Sequence, residues 1–585
     1  MTRIPLDRIL FGVVVAVSIV VVWTVSDPLP HLGGDNAGYI ALAYDLVANG
    51  SYTDVFDPER LPHTKYPPVF PATLALLIAA GARSWVALKA VAAVATVIAV
   101  GFTYLWAARR LSALGAFAVA LLLALSVGIV YYSQWVLSDP LFLALTMASL
   151  HALAKADGVA RTGERGEPDA EGGASGSTAT LRGGEGPIDA RWLAVGVLCG
   201  GLAYFTRSAG LPLVVALLAW LVMRRAWRPL GISAGALGLP MLAWWLRGRT
   251  GGVAQYTSEF WMVNPYDPSL GTVGIGGLGG RVVENLLGYA TRHLPLGVVG
   301  ADAPVVPIVG VMLVVAALAG WVVSARDRVG PAELFFPLYA GLILLWPTVW
   351  SGDRFALPLL PLVFLYGAVS LRLLTRRLPE AVRPIAATVA ILALLVPAVE
   401  DWRRAVAASD ACPLEVREQD VWACYGPRVQ SFMIAAAWTR DGLPEGASVL
   451  SRKPRHFYLQ SGVPSRTFAF FEDPDEQLEL ADAIGASYVL LDRWDGFAAR
   501  YVGSAVRARP GAFCYVSTFG RPDDGAAQLL GILPPGARGA DPSAGAEVTV
   551  ARCPSTFTTN RDAGGTYSPS GSSSARIPLL DRLDS

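Results

Sequence analysis

Apolar residues fall into long blocks over the first 399 positions, and the rest of the chain mixes apolar and polar residues as globular domains do. A helix needs about 20 mostly apolar residues to cross the roughly 30 Å hydrocarbon core of a membrane. Eleven blocks approach or exceed this length: Ile9–Val25, Val86–Ala108, Leu111–Tyr132, Trp135–Ala154, Trp192–Phe205, Ala209–Met223, Leu230–Leu246, Pro304–Val323, Leu334–Trp350, Phe355–Leu374 and Ile385–Val399. The pattern predicts an α-helical polytopic membrane protein with about eleven transmembrane helices.

One further apolar block, Val69–Ala80, is not counted as a span. Pro67, Pro68 and Pro71 crowd its beginning. A helix of this length rises only about 18 Å, which is too short to cross the hydrocarbon core. We therefore expect this segment to be interfacial or re-entrant.

Arginines recur in alternate loops between the predicted spans, and this sets the predicted orientation. Cytoplasmic loops carry an excess of Lys and Arg. The candidate cytoplasmic residues are Arg109, Arg110, Arg224, Arg225, Arg228, Arg326, Arg328, Arg372, Arg376, Arg377 and Arg383. The N-terminus is then cytoplasmic, with Ile9–Val25 as a retained signal anchor, and residues 26–85, 248–303 and everything after Val399 are extracytoplasmic. We expect a multi-pass protein of the cell (inner) membrane.

Three regions outside the spans have distinct compositions. Residues 156–190 are rich in Gly, Glu, Ser and Ala, which predicts a disordered cytoplasmic linker. Residues 400–555 predict a soluble extracytoplasmic α/β domain. Its candidate elements are strands at Ser448–Leu450, Thr467–Phe471, Tyr488–Leu491 and Phe513–Ser517 and a helix at Asp475–Ala483. Residues 556–585 are rich in Ser, Thr and Gly and predict a disordered tail.

Four of the five cysteines lie in the predicted extracytoplasmic domain, where disulfides form. Four cysteines allow three pairings, of which Cys412–Cys424 with Cys514–Cys553 is the most local. The alternative is four free thiols in a cytoplasmic domain, which the predicted topology disfavours. No CxxC pair occurs, which argues against a metal site.

Composition limits the possible functions. The chain is 53% hydrophobic and 16% charged, with a net charge of +1. The chain thus has neither the excess of basic residues that would attract nucleic acid nor an acidic tail. Function must depend on local sites.

The first extracytoplasmic loop holds the clearest candidate site. Residues 39 to 47 follow the spacing of an amphipathic helix, which we expect to lie along the membrane surface. Asp35 stands at its predicted N-cap, where a carboxylate is favoured for capping alone. His31 and His63 are expected at the surface, and two histidines without a third ligand do not predict zinc.

Several short motifs of this chain resemble those of C-type (GT-C) membrane glycosyltransferases, in particular the family of protein O-mannosyltransferases and lipid A aminoarabinose transferases (glycosyltransferase family 39-like). The first-loop motifs are Gly34-Asp35-Asn36-Ala37-Gly38-Tyr39, Leu42-Ala43, Gly50-Ser51-Tyr52 and Lys65-Tyr66-Pro67-Pro68 with Pro71. The later ones are Ser138-Asp139-Pro140, Thr206-Arg207-Ser208-Ala209-Gly210, and Arg354-Phe355 with Leu357-Pro358 and Pro361. The resemblance covers residues 1 to about 375.

The resemblance implies an inverting transfer of a hexose or pentose from a polyprenyl-phosphate donor to an acceptor hydroxyl of a glycan, lipid or protein. Asp35 matches the family's first-loop acid and is the candidate general base. Lys65 is the candidate ligand of the donor phosphate, with Arg354 and Arg207 as further candidates. Tyr39 and Asp139 are additional site candidates.

Two positions depart from the family pattern. Asn36 replaces a usual Glu, and Thr64 replaces the acid that often precedes the lysine. We therefore predict no metal site and no cofactor, and the resemblance leaves a divalent metal open.

Each candidate also has a purely structural interpretation. Lys65 could extend its ammonium to the interface, Asp139 could cap the helix that begins at Pro140, and Arg207 could belong to a short loop. At the level of the whole chain, the alternatives are a non-catalytic membrane scaffold and a polymerase or ligase of lipid-linked glycans. A transporter is disfavoured because the charges lie at span ends and in loops.

Overall fold

The computed structural model describes residues 5–158, 187–249, 255–301, 305–521, 524–539, 550–559 and 576–584. Most of the predicted linker, 156–190, lies outside these residues. Up to residue 409 the described chain is mainly helical. The helices are α1 Leu6–Thr24, α2 Gly34–Asn49, α3 Val69–Ala79, α4 Trp85–Ala107, α5 Ala113–Leu125, α6 Val127–Tyr132, α7 Asp139–Ala156, α8 Ala190–Thr206, α9 Leu211–Met223, α10 Trp227–Arg249, α11 Gln255–Trp261, α12 Ile275–Gly288, α13 Leu294–Val299, α14 Val306–Asp327, α15 Pro331–Leu344, α16 Asp353–Ala356, α17 Leu360–Thr375 and α18 Val382–Ser409.

The described ranges contain six helical segments that are long and apolar enough to cross a membrane. They are α1, α4, α10, α14, the α16–α17 segment Asp353–Thr375, and α18. The other five predicted spans correspond to α5 with α6, α7, α8, α9 and α15, which are shorter or more polar. The chain is thus a multi-pass membrane protein. The block left uncounted is α3, an 11-residue helix that rises only about 16 Å.

Ion pairs form two layers at opposite ends of the membrane helices. At one end, Arg224 and Arg328 both contact Asp157. At the other end, Arg207 contacts Asp139. Asp139 begins the 18-residue helix α7 and Asp157 follows its last residue, so the layers lie about 27 Å apart along that helix. This separation is close to the roughly 30 Å thickness of a hydrocarbon core.

Glycines allow two of the membrane helices to pack at short distance. A Cβ atom on Gly320 of α14 would lie 1.9 Å from the carbonyl oxygen of Tyr366 on α17. Without a hydrophobic driving force between helices in lipid, such close contact is what stabilises their association. Any larger residue at Gly320 would force the two helices apart.

Helix α2 packs against two other helices. It ends at Asn49, because Gly50 adopts the left-handed conformation (φ 62°) that closes a helix. All eight residues from 36 to 43 are buried, where α2 packs against α3 and the later helix Pro454–Ser461. The two neighbours therefore enclose the N-terminal half of α2, and its position along the membrane surface stays a prediction.

The C-terminal part is an α/β domain, as the sequence predicts. Its elements are α19 Leu414–Gln419, α20 Pro427–Gly442, β1 Val449–Leu450, α21 Pro454–Ser461, β2 Ser465–Arg466, α22 Pro474–Ile484, β3 Tyr488–Leu491, α23 Phe497–Ala508, β4 Phe513–Phe519 and β5 Ala527–Ile532. The strand order is β2-β1-β3-β5-β4. Strands β1, β2 and β3 pair in parallel, and β5 pairs antiparallel with β3 and β4.

Three predictions for this region need correction. The strand expected at Thr467–Phe471 lies instead at β2, just before it. The sequence analysis missed β5, whose Ala-Gln-Leu-Leu-Gly-Ile segment is too short and too uniform to show alternation. The domain boundary predicted after Val399 falls inside α18, which continues to Ser409.

Both disulfides expected from the sequence are present, Cys412–Cys424 and Cys514–Cys553. The second joins the sheet to the chain beyond it, since Cys514 lies in β4 and the backbone of Cys553 hydrogen-bonds to Tyr515. Cys199 is a free cysteine in α8.

Residues 576–584 are folded, contrary to the prediction of a disordered tail over 556–585, of which 560–575 and 585 lie outside the described residues. A short helix, α24 Pro578–Asp581, buries Leu579 and Leu580. The N–H of Ile577 donates to the carbonyl of Arg83 between α3 and α4, and Arg582 donates to the carbonyl of Ser461 at the end of α21. The segment 576–584, which we name the C-terminal clasp, therefore joins the C-terminal domain to the membrane helices. The clasp folds because its apolar residues are buried, although the stretch that precedes it in the sequence is polar.

The clasp should contribute measurably to stability. Leu580 is wholly buried, and a buried Leu→Ala change typically costs about 2–5 kcal/mol. We expect Leu580→Ala to lower the Tm by several degrees in detergent or nanodiscs. Leu414→Ala is the control, because Leu414 is 57% exposed and surface changes usually stay within about 0.5 kcal/mol. Equal Tm values for the two variants would show that the clasp does not hold the domains together.

Candidate functional site

The first turn of α2 presents Asp35, and its neighbours fix that turn. Asp35 is the second helical residue, and Gly33 is the N-cap, so the predicted N-cap position of Asp35 is wrong. Asn36 is fully buried, and its Oδ1 accepts a hydrogen bond from the N–H of Val136 at 2.7 Å. This bond anchors α2 to the segment before α7. The carboxylate of Asp35 is thereby left to make other contacts.

Asp35 is bound from two sides. Its Oδ2 accepts a hydrogen bond from Nη1 of Arg354 at 2.8 Å, and its Oδ1 accepts one from the hydroxyl of Tyr66 at 2.6 Å. Nη1 of Arg455, on α21 of the C-terminal domain, lies 3.9 Å from the same Oδ1 and donates to the Tyr66 hydroxyl at 2.8 Å. The carboxylate thus lies between two guanidinium groups.

The ion pairs continue from Arg354 into the membrane domain. Nε of Arg354 donates to Oδ2 of Asp139 at 2.8 Å, and Nη1 of Arg207 lies 2.6 Å from the same oxygen. The result is a row of alternating charges in the order Arg455, Asp35, Arg354, Asp139, Arg207, which we name the charged row. The side chain of Asp139 is only 4% exposed. Its carboxylate pairs with two arginines, so capping of α7 is not its role.

Tyr39 lies beneath the charged row. Its hydroxyl is 2.8 Å from Oγ of Ser138, and its ring centroid is 4.7 Å from that of Tyr66. Burial raises the pKa of Tyr39 to about 12, so its hydroxyl stays protonated at neutral pH. Tyr39 therefore supports the neighbouring groups and does not add charge.

Lys65 lies near the row and has its own counter-ion. Its Nζ is 3.0 Å from both carboxylate oxygens of Glu259 on α11, and 5.3 Å from the ring centroid of Trp350. Glu259 belongs to the second predicted outer loop and was not singled out from the sequence. A phosphate that binds Lys65 would therefore have to displace Glu259.

A buried histidine supports the Lys65 segment. His63 is 2% exposed, and its Nδ1 lies 2.7 Å from Oδ1 of Asp54. Its Nε2 accepts a hydrogen bond from the N–H of Tyr66 at 2.8 Å, which leaves Nδ1 to donate to Asp54. The expectation that His63 lies at the surface is wrong. Its role is to orient Tyr66, which in turn hydrogen-bonds to Asp35.

The surroundings of Asp35 decide its charge. Burial by itself would raise the pKa of the carboxyl. The charges of Arg354 and Arg455 and the hydrogen bond from Tyr66 outweigh this, and they hold the pKa of Asp35 well below its usual range. Asp35 is therefore ionised at any physiological pH, and it is a weak base while both arginines contact it.

The structure gathers Asp35, Tyr39, Asp139, Arg207 and Arg354, which the sequence had marked as site candidates. It adds two groups that the sequence analysis missed, Arg455 and Glu259. The signal for Arg455 was its position in Arg-Lys-Pro-Arg-His, directly after a strand of a parallel sheet. Side chains at that edge of a sheet are favoured ligand-binding positions.

The contact of Arg455 with Asp35 can be tested without an activity assay. Residues within one ion-pair network show non-additive effects of about 0.5–3 kcal/mol. We expect Asp35→Asn and Arg455→Gln each to lower the Tm, and the double variant to lose less than the two losses added together. Thermal unfolding of the four proteins at neutral pH measures this.

The control and the pH dependence follow from the same contacts. Arg452→Gln removes a nearby guanidinium that pairs with Asp495 instead, so its effect should add to that of Asp35→Asn. Because the folded-state pKa of Asp35 is depressed, its stabilising effect is present above an unfolded pKa of about 3.9 and is lost as the pH falls through the folded value. Additive losses for Asp35 and Arg455 would contradict their coupling.

No family model matches the sequence, and no curated protein matches it. Solved structures with a similar fold include the Archaeoglobus fulgidus oligosaccharyltransferase tethered to an acceptor peptide. The identity is 14%, the TM-score is 0.52, and the match covers 88% of this chain and 74% of that one. The archaeal oligosaccharyltransferase AglB in complex with an inhibitory peptide and a dolichol-phosphate has the same identity and coverage, with a TM-score of 0.50. ArnT from Cupriavidus metallidurans, bound to undecaprenyl phosphate, is 16% identical with a TM-score of 0.47, and the match covers 90% of this chain and 98% of that one. The fold class predicted from the sequence is confirmed: this chain has the GT-C-like fold of the archaeal oligosaccharyltransferase structures, a helical membrane domain followed by a C-terminal α/β domain.

Proposed function

We propose that this protein is a membrane glycosyltransferase that moves a sugar from a polyprenyl-phosphate donor to an acceptor hydroxyl. The observation that carries the proposal is the charged row, in which Asp35 contacts arginines from both the membrane helices and the C-terminal domain. The GT-C fold supports it, as does the dolichol-phosphate in the AglB complex. The donor, the sugar and the acceptor are all part of the proposal.

The proposed reaction is a single inverting displacement. The acceptor oxygen attacks C1 of the sugar while its proton passes to the Asp35 carboxylate, which acts as general base. The bond between C1 and the phosphate oxygen breaks, and its electron pair leaves with the polyprenyl phosphate. The donor phosphodiester carries one negative charge and the product phosphate gains another near neutral pH. Cations that stabilise this developing charge lower the barrier.

Donor binding and base strength are linked in this proposal. Arg354 contacts both Asp35 and Asp139, so a phosphate that takes a hydrogen bond from Arg354 would compete with the Asp35 carboxylate. Weakening that contact raises the pKa of Asp35 toward its ordinary value, which makes it a better base. Arg207 and Lys65 are the further phosphate ligands proposed. Both carry counter-ions, Asp139 and Glu259, with which the phosphate must compete.

Two alternatives share the topology. A non-catalytic scaffold would require no ionised carboxylate between two guanidinium groups. A polymerase or ligase would use the same row with a lipid-linked glycan as donor or acceptor, so it differs only in the substrates. Identifying the lipid-linked sugar that co-purifies with the protein separates these classes.

Substitution of Asp35 tests the proposed base. Asp35→Asn keeps the size and removes the basic carboxylate, and loss of a general base typically costs about 10²–10⁴ in rate. We expect this loss in transfer from a synthetic polyprenyl-phosphate sugar, with the protein still folded. A stable Asp35→Asn protein with full transfer activity would remove Asp35 as the base.

Asp45→Asn is the matched control on the same helix. Asp45 is 1% exposed and accepts hydrogen bonds from Ser51 and Thr53, away from the charged row. Its substitution should lower the Tm and leave the transfer rate of the folded fraction unchanged. The two variants thus separate loss of chemistry from loss of stability.

Orientation is a further part of the proposal. We propose that the arginine-rich loops are cytoplasmic and that the charged row and the C-terminal domain are on the opposite side of the cell (inner) membrane. Reporter fusions at residues 170 and 560 should then report opposite sides. If both report the same side, the proposed topology fails.

A further inference from the structure

The strand order of the C-terminal sheet places a topological switch point at the start of α21, the helix that carries Arg455. The chain passes from β1 through α21 to β2 on one side of β1, and then through α22 to β3 on the other side. The connections that follow β1 and β3 therefore leave in opposite directions. In open α/β sheets, ligands bind in the crevice outside the carboxyl ends of the two strands at such a switch point.

Lys453 lies at this switch point. It follows β1 and is the N-cap residue of α21. It is half-buried, and its backbone carbonyl accepts from the N–H of Phe457, whereas its ammonium makes no hydrogen bond or ion pair with any residue that the structure describes. The ring centroid of Trp494 lies 5.6 Å from its Nζ. By contrast, Lys65 and Lys89 each pair with a carboxylate.

A second unsatisfied group lies on the facing strand. Asp492 directly follows β3 and is wholly buried. Its Oδ1 accepts a hydrogen bond from the N–H of Trp494 at 2.9 Å, and its Oδ2 has no partner among the described residues. Burial raises the pKa of Asp492 to about 7. A protonated Asp492 can donate a hydrogen bond to a bound oxygen.

The crevice is continuous with the charged row. Arg455 follows Lys453 by two residues and reaches Asp35 and Tyr66, as described above. The next residue, His456, has its Nε2 2.9 Å from the carbonyl oxygen of His31, just before α2. The start of α21 therefore spans from the switch point to the first turn of α2.

We propose that this crevice is a subsite for a phosphate group of the substrate, with the ammonium of Lys453 as its ligand and the carboxyl of Asp492 as a second hydrogen-bonding group. The inference rests on the proposed function, and it names a phosphate ligand on the C-terminal domain. Asp492, Asp495 and Asp35 act on the Lys453 ammonium only from a distance, so a bound anion would give it the direct hydrogen-bonded contact that Lys65 makes with Glu259. The helix N-terminus of α21 adds to the attraction.

Binding measurements on the full chain test this subsite. The protein in phosphatidylcholine nanodiscs is titrated with polyprenyl monophosphate and, separately, with inorganic phosphate. A hydrogen bond to a charged group is worth about 10- to 100-fold in affinity, so we expect Lys453→Gln to weaken polyprenyl monophosphate by that factor. Lys453→Arg keeps the charge and should recover most of the affinity.

The control is Arg493→Gln, which removes a positive charge from the exposed part of the β3–α23 loop. It should change either affinity by less than about threefold. Loss of affinity for both probes in Lys453→Gln identifies the lipid-linked phosphate as the ligand, and loss for inorganic phosphate alone identifies a soluble phosphorylated acceptor. Unchanged affinity for both probes, in a variant with wild-type Tm, overturns the inference. Because no turnover is needed, wild-type protein that binds but does not transfer contradicts the proposed function alone.

Discussion

Charges that are removed from water at the edge of a membrane domain must be paired, and this constraint brings the site together. Asp139 is nearly inaccessible, so its carboxylate requires Arg207 and Arg354. Arg354 has more donors than Asp139 can use, and its remaining donors reach Asp35. The pairing joins segments that lie more than 300 residues apart along the chain. Removing one member would leave its neighbours in the row without a counter-ion, so we expect the contributions of these residues to stability to be coupled.

The order of the sequence motifs identified the members of the charged row that lie in or beside the membrane helices. Arg207 and Arg354 stood at the ends of apolar blocks, Asp139 near the start of one, and Asp35 in the first outer loop. Groups that meet at one membrane face are close in space. Arg455 could not be found this way, because its position depends on how the C-terminal domain packs against α2. The disulfides were expected from the predicted extracytoplasmic location of the four cysteines, and the most local of the three possible pairings, which costs the least loop closure, is the one present.

Errors in the sequence analysis have physical causes. Asp35 was expected at the N-cap because aspartate favours that position, but Gly33 occupies it and leaves the carboxylate free for Arg354. His63 was expected at the surface because it lies in a polar loop. Its two ring nitrogens instead satisfy Asp54 and the backbone of Tyr66, which makes its burial tolerable.

Asn36 and Lys65 each have a partner far along the chain. The amide oxygen of Asn36 accepts from the N–H of Val136 in a buried position, where a second carboxylate would be repelled by Asp35. Lys65 pairs with Glu259, from a helix almost 200 residues later. Both contacts join the first loop to later segments of the chain.

The start of α21 connects the C-terminal domain with the proposed chemistry. Arg455 helps to set the pKa of Asp35. Lys453 lies two residues before Arg455, at the switch point of the sheet. Both depend on the same docking of α21 against α2, and the C-terminal clasp holds the far end of α21 through Arg582. A shift of α21 would therefore withdraw two positive charges from the site at once and leave Asp35 with Arg354 alone. The domain thus acts on Asp35 through its position, and the pKa of the Asp35 carboxyl depends on the C-terminal domain as well as on the membrane helices.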